Sequence, residues 1–202
     1  MRVACILVLV LAAFPLAATT VVCLGDSLTA GYGLTEDQAY PAVVERLAQA
    51  DGRAWRVVNA GVSGDTTAGG LRRLAWALKA KPDILLLALG ANDGLRGVPV
   101  AQTKRNLGEI VERAQATGAR VLVAGMQLPT NYGADFREAF AAVFPAVATA
   151  ARAELLPFLL AGVGGDAALN QADGIHPNAD GQQRIAALVY AALKPLVDAK
   201  VP

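Results

Sequence analysis

The sequence predicts an α/β protein with a parallel sheet covered by helices on both sides. Short apolar, β-branched runs alternate along the chain with apolar periodicities of helical spacing. One run, Asp83–Leu89 (DILLLAL), is apolar after its first residue, as expected of a strand buried on both faces. At 202 residues and 54% hydrophobic composition, the chain has the length for one domain with a sizeable core. No internal repeat, low-complexity tract or linker divides it.

Thr19–Leu24 (TTVVCL) reads as the first strand, ended by Gly25. Arg56–Asn59 (RVVN) is a second, Asp83–Leu89 a third and Arg120–Ala124 (RVLVA) a fourth. A short fifth is expected within Leu155–Leu160, with Pro157 working against it. Leu71, Leu74, Ala75 and Leu78 follow the i, i+3, i+4, i+7 spacing of a helix face. So do Leu107, Ile110, Val111 and Ala114. Ile185, Leu188, Val189, Ala192 and Leu193 mark a last helix after His176-Pro177.

The first eighteen residues read as a segment outside the fold. Met1-Arg2 is a short positive start, Val3–Phe14 is an almost unbroken apolar run, and Pro15-Leu16-Ala17-Ala18 supplies small residues for cleavage. This is the layout of a secretory signal peptide over 1–18, with the domain over 19–202 and a periplasmic or secreted location. The run is short of the roughly 20 residues of a membrane span, so no stable span is expected after cleavage. An uncleaved N-terminal anchor is the competing reading. A lipid-modified Cys23 fits less well, because Cys23 lies inside the first strand.

Lys and Arg total 18 and Asp and Glu 17, so no basic excess exists to neutralise a nucleic-acid backbone. Two cysteines, Cys5 and Cys23, are too few for a disulfide scaffold or a zinc site. Two other scarcities carry more: the chain has one histidine, His176, and two serines, Ser27 and Ser63.

Ligands of open parallel sheets bind at the carboxyl ends of the strands. Those ends carry Gly25-Asp26-Ser27-Leu28, Asn59-Ala60-Gly61-Val62-Ser63-Gly64-Asp65-Thr66 and Gly90-Ala91-Asn92-Asp93. A loop near the C-terminus carries Asp173-Gly174-Ile175-His176-Pro177-Asn178. A serine hydroxyl becomes a nucleophile when a base takes its proton, and that base is usually a histidine held by a carboxylate. In this chain the base has to be His176, with Asp173 three residues earlier to hold it. The nucleophile is Ser27 or Ser63. Ser27 follows a strand and a glycine at a sharp turn, whereas Ser63 sits in a glycine-flanked loop as a backbone feature. The Gly64 N–H, the Asn92 amide and the Ser27 N–H are candidate oxyanion donors. No G-x-S-x-G elbow is present.

Each stretch alone has a plainer reading. Asp26 is a helix cap, Gly64-Asp65-Thr66 a turn with an N-cap, Asn92-Asp93 a strand-end turn, and Asp173-Gly174 a surface turn. Asp65 and Asp93 read as structural. Gly31-Tyr32-Gly33 has two glycines of a dinucleotide loop, but Glu36 stands at the third position.

Taken together and in order, the four stretches resemble the SGNH hydrolases, also called the GDSL family. Gly25-Asp26-Ser27-Leu28 resembles the first block, Gly64 the glycine of the second, Asn92 the third, and Asp173-Gly174-Ile175-His176-Pro177 the last. The resemblance implies a flavodoxin-like three-layer α/β/α sandwich with five parallel strands. It implies Ser27 as nucleophile, Ser27, Gly64 and Asn92 as the oxyanion hole, and Asp173 and His176 as the rest of a triad, with neither metal nor cofactor. Leu24–Gly33, Gly90–Gly97 and Met126–Gly133 are similar to the branch of arylesterases, thioesterases and lysophospholipases. That branch implies acyl esters or thioesters as substrates, and a pocket wall that includes Gly94, Leu95, Val98, Leu128 and Pro129. Two other readings stay open: a carbohydrate O-deacetylase on the same fold, and a non-catalytic lipid-binding module. A monomer is expected, since no heptad or extra apolar stripe appears.

Overall fold

The computed structural model describes residues 18–199. The expected signal segment lies outside them except for its last position. Among the described residues, no helix is long and apolar enough to cross a membrane.

The chain runs β1 (Thr19–Gly25), α1 (Ser27–Ala30), α2 (Tyr40–Ala50), β2 (Trp55–Gly61), α3 (Thr67–Ala77), β3 (Ile84–Ala88), α4 (Ala91–Leu95), α5 (Val100–Gln115), β4 (Arg120–Ala124), α6 (Ala134–Ala141), α7 (Val143–Ala151), β5 (Glu154–Leu156) and α8 (Ala179–Asp198). Five parallel strands form one sheet in the order β2-β1-β3-β4-β5. Helices α2 and α8 pack together on one side, and α3, α5 and α7 pack in a row on the other. This is the α/β/α sandwich that the resemblance implied.

The sheet is buried because its strands are apolar on both faces. Every residue of β3 is buried, and Val21, Val22, Cys23 and Leu24 of β1 are fully enclosed. Burial pushes the Cys23 thiol up to about 12, so it is an inert core thiol, with Tyr40 its opposing hydrogen-bond partner. Short polar caps start α1, α3 and α8. Asp26 Oδ1 accepts the Leu28 N–H at 3.0 Å, Thr66 Oγ1 accepts the Gly69 N–H at 3.3 Å, and Asn178 Oδ1 accepts the Gly181 N–H at 3.0 Å.

The fifth strand starts earlier and is shorter than the expected Leu155–Leu160. Pro157 has no N–H for the ladder. Beyond it the chain leaves the sheet, and the Leu159 N–H donates to the Gly125 carbonyl at 2.9 Å. The last helix begins directly after His176-Pro177-Asn178, as the periodicity predicts.

β1 lies between β2 and β3, with Gly25 in register with Gly61 on one side and Ala88 on the other. The turns that leave these three strands therefore emerge side by side. Arg73 of α3 ties two of them together. Its Nη2 donates to the Gly25 carbonyl at 2.8 Å, its Nη1 to the Ala60 carbonyl at 2.6 Å, and its Nε to Asp65 Oδ2 at 2.6 Å. This guanidinium and the Asp65 carboxylate are both mostly shielded from water. Removing it leaves the shielded Asp65 carboxylate without its cation and takes a donor from two carbonyls, so Arg73→Ala is expected to lower unfolding free energy by roughly 3 kcal/mol. Urea denaturation checks this; a loss below about 0.5 kcal/mol, the level of an ordinary surface substitution, would refute it.

Candidate active site

Ser27 is the first residue of α1, placed by the turn that ends β1. His176 stands three residues before α8, on the loop that precedes the helix. The two are 149 residues apart in sequence, yet His176 Nε2 lies 3.0 Å from Ser27 Oγ. The other ring nitrogen, Nδ1, lies 2.7 Å from Asp173 Oδ2. In the neutral imidazole, Nδ1–H donates to the carboxylate and leaves Nε2 as the acceptor facing the hydroxyl. Asp173 Oδ1 also accepts the N–H groups of Ile175 and His176, each at 3.0 Å. The backbone N–H and the ring of His176, with the Ile175 N–H, hold the Asp173 carboxyl down to about 2. Its contribution to stability is present above the ordinary carboxylate range and lost only as pH falls toward that value.

Gly64 is in the left-handed region at φ 77°, which favours glycine in this turn. Its carbonyl accepts from Arg96 Nη2 at 2.9 Å. Among the described residues, no protein acceptor takes the N–H of Gly64 or of Ser27. Asn92 stands on α4, just past the end of β3, and its Nδ2 lies 3.4 Å from Asp26 Oδ2. The structure thus brings Ser27, His176 and Asp173 into one hydrogen-bonded chain, with the turns bearing Gly64 and Asn92 on neighbouring strands. Ser63 makes no hydrogen bond with His176, and Asp65 and Asp93 do structural work. Asp93 is buried and accepts the Thr67 N–H at 2.8 Å together with the Thr67 hydroxyl.

The expected pocket residues divide. Leu95 and Pro129 are exposed and Val98 is half-buried. Leu128 is buried in the core, so it does not form an open wall. It packs beneath Gly94, where a Cβ would come within 2.6 Å of Leu128 Cδ2 and 2.9 Å of the Phe140 ring. Gly94 is therefore a packing glycine under α4. An apolar residue beside a strand end reads the same in sequence whether it faces solvent or core.

Sequence reasoning took Asp26 only as a cap and passed over Tyr32 at the site. The Tyr32 ring lies over His176, with centroids 4.6 Å apart. Asp26 is 1% exposed. Burial pushes its carboxyl up to about 6, opposed by the Leu28 N–H, the His176 charge and Asn92.

A parallel sheet with a Ser–His–Asp chain across its carboxyl edge defines a class, serine-type hydrolases on a parallel-sheet sandwich. Comparisons with known proteins narrow it. The GDSL-like Lipase/Acylhydrolase family profile matches residues 23–184. The chain is 46% identical over 192 residues to Esterase TesA of Pseudomonas aeruginosa, covering 95% of this chain and 96% of that one. It is 42% identical over 183 residues to Thioesterase 1/protease 1/lysophospholipase L1 of Escherichia coli, covering 90% and 86%. The crystal structure of the psychrotrophic esterase EstA from Pseudoalteromonas sp., inhibited by monoethylphosphonate, superposes with a TM-score of 0.85 at 33% identity over 89% of this chain and 99% of EstA. The chain belongs to the GDSL-like lipase/acylhydrolase family.

Asp26 titrates higher in the fold than in the unfolded chain. Its contribution is complete below the ordinary carboxylate range and is lost as pH rises through about 6. Asp26→Asn removes that loss and keeps an oxygen for the Leu28 N–H. From pH 4 to pH 8 the stability of the parent should fall relative to Asp26→Asn by on the order of 2–3 kcal/mol. Parallel thermal denaturations at the two pH values measure it, and a constant difference would contradict it.

Proposed function

We propose that this protein hydrolyses carboxylic esters and thioesters of acyl or aryl groups through an acyl-enzyme on Ser27. The observation that carries the reading is the hydrogen-bond chain Ser27 Oγ, His176 Nε2, His176 Nδ1, Asp173. Neutral His176 takes the Ser27 proton while Oγ forms a bond to the acyl carbonyl carbon. The N–H groups of Ser27 and Gly64 and the Asn92 amide receive the oxygen as it gains negative charge. The intermediate collapses, the bond to the alcohol or thiol breaks, and His176 delivers the proton to that leaving group. Water, activated by the same imidazole, releases the acid and restores the serine. These steps require an unprotonated imidazole, so activity falls on the acid side.

The rim supports acyl groups over sugars. Tyr32, Val62, Leu95 and Ile175 are exposed large apolar residues. They sit on the four segments that carry Ser27, Gly64, Asn92 and His176. We also propose that residues 1–18 direct export to the periplasm or beyond, on the strength of their charged start and apolar run, and that the mature domain acts as a monomer.

Ser27→Ala is expected to abolish p-nitrophenyl ester hydrolysis and fluorophosphonate labelling with an unchanged melting temperature. Full activity in that variant would move the nucleophile to Ser63. Asn92→Ala should lower kcat about 10²–10³-fold, the usual effect of losing one oxyanion donor. A kcat within twofold of the parent would remove Asn92 from that role. Rates on acyl esters of rising length should exceed those on acetylated xylan; the reverse order would favour the deacetylase.

A further inference from the structure

The Ser27–His176 contact joins two parts of the chain that no shared helix or strand holds together. Between β5, which ends at Leu156, and α8, which begins at Ala179, no helix or strand element fixes the chain. The imidazole is delivered by this loop, so its distance from Ser27 depends on what ties the loop to the Ser27 segment.

Two glutamines make that tie, one on each side of His176. Gln171, five residues before it, donates from Nε2 to the Tyr32 carbonyl at 2.7 Å and to the Pro177 carbonyl at 3.0 Å. Its own N–H donates to the His176 carbonyl at 2.8 Å. One residue thus grips the backbone of His176 and Pro177 and also the backbone just past α1. Gln182, six residues after His176, lies in the first turn of α8 and is 1% exposed. Its Nε2 donates to the Leu28 carbonyl at 3.1 Å, and its Oε1 accepts the Tyr40 N–H at 2.8 Å. Leu28 is the residue after Ser27. A buried primary amide suits this place, because it offers a donor and an acceptor to a backbone that presents one of each.

We infer that Gln171 and Gln182 are positioning residues that together set the Ser27–His176 contact. They bond to backbone carbonyls within α1, at Leu28, and just past it, at Tyr32, so the base is fixed against the nucleophile at two points. Neither touches the reacting atoms. The inference rests on the reading of Ser27 and His176 as nucleophile and base, and its test separates the two.

The test uses Gln171→Met and Gln182→Met, which keep approximate side-chain length and remove the hydrogen bonds. The readout is the rate at which a fluorophosphonate adds to Ser27. Intact mass follows this addition over hours to days, so slow backgrounds remain measurable. Each substitution should slow labelling about tenfold, since loss of near-attack geometry costs up to about 10²-fold. On an acyl ester, kcat should fall with KM within twofold. In the His176→Ala background the same substitutions should change labelling less than twofold, because the group they position is gone. An equal slowing in both backgrounds, or none in either, overturns the inference. Labelling of His176→Ala as fast as the parent would instead overturn the assignment of the base. Gln171 is only partly buried, so Gln171→Met decides the question alone if Gln182→Met does not fold.

Discussion

The site depends on one hydrogen bond, from Ser27 Oγ to His176 Nε2, that brings together residues 149 apart in the chain. The strand order makes the rest of the site follow from it. β1 is an interior strand, with β2 and β3 as its two neighbours, so the turn that carries Ser27 is flanked by the turns that carry Gly64 and Asn92. In the proposed mechanism, donors for an oxyanion thus come from both sides of Ser27 without any long excursion of the chain. A sheet that placed β1 at an edge would offer a neighbour on one side only. His176 arrives from the far end of the sequence, because α8 packs beside α2 and starts next to α1.

Two carboxylates near the imidazole behave in opposite ways, and environment decides which does what. Asp173 is exposed and accepts two backbone N–H groups as well as the ring, so its charge is fully compensated and the group stays ionised. It can hold the imidazole in one tautomer and face the imidazolium when it forms. Asp26 is enclosed and satisfied by fewer donors, so desolvation dominates and raises it to about 6. Placed beside Asn92, an ionised Asp26 accepts from the amide, which keeps the nitrogen of Asn92 turned toward the site. Its position beside Ser27 is set by its capping bond to Leu28, so cap and site share one side chain.

Much of this was legible in the sequence because the reactive residue types are scarce. One histidine leaves no choice of base, and two serines leave one choice of nucleophile. The alternation of apolar strands and helical periodicities gave the parallel sheet, and the four polar blocks gave its loaded edge. Less legible was whatever depends on which neighbour a residue meets. β5 is three residues at the sheet edge and carries little pattern of its own. Leu128 is buried beneath α4, although its composition and place suit an exposed wall equally well. Arg73, Gln171 and Gln182 act on backbone carbonyls, which every residue possesses, so no side-chain spacing announces them. Their roles appear only when the carbonyl ends of β1 and β2, and the termini of α1, are located in space.

The short helix α4 shows how a rigid and a permissive surface are built from five residues. Asp93 is fixed by two bonds to Thr67 of α3, and Gly94 is seated on Leu128 and Phe140. Those two contacts turn one side of α4 into core. Asn92 and Leu95 are three residues apart and so lie near one another on the helix surface, away from that core. Asn92 is half-buried and held by Asp26, while Leu95 is exposed and its carbonyl accepts from the Tyr132 hydroxyl at 3.1 Å. A polar donor and an apolar surface are thereby presented within one turn. A carbonyl oxygen received at Asn92 would have its hydrocarbon substituent beside Leu95, and nothing in α4 would need to move. The buried side of α4 makes its outer side a fixed template, so the geometry that suits an acyl ester follows from packing on the opposite face.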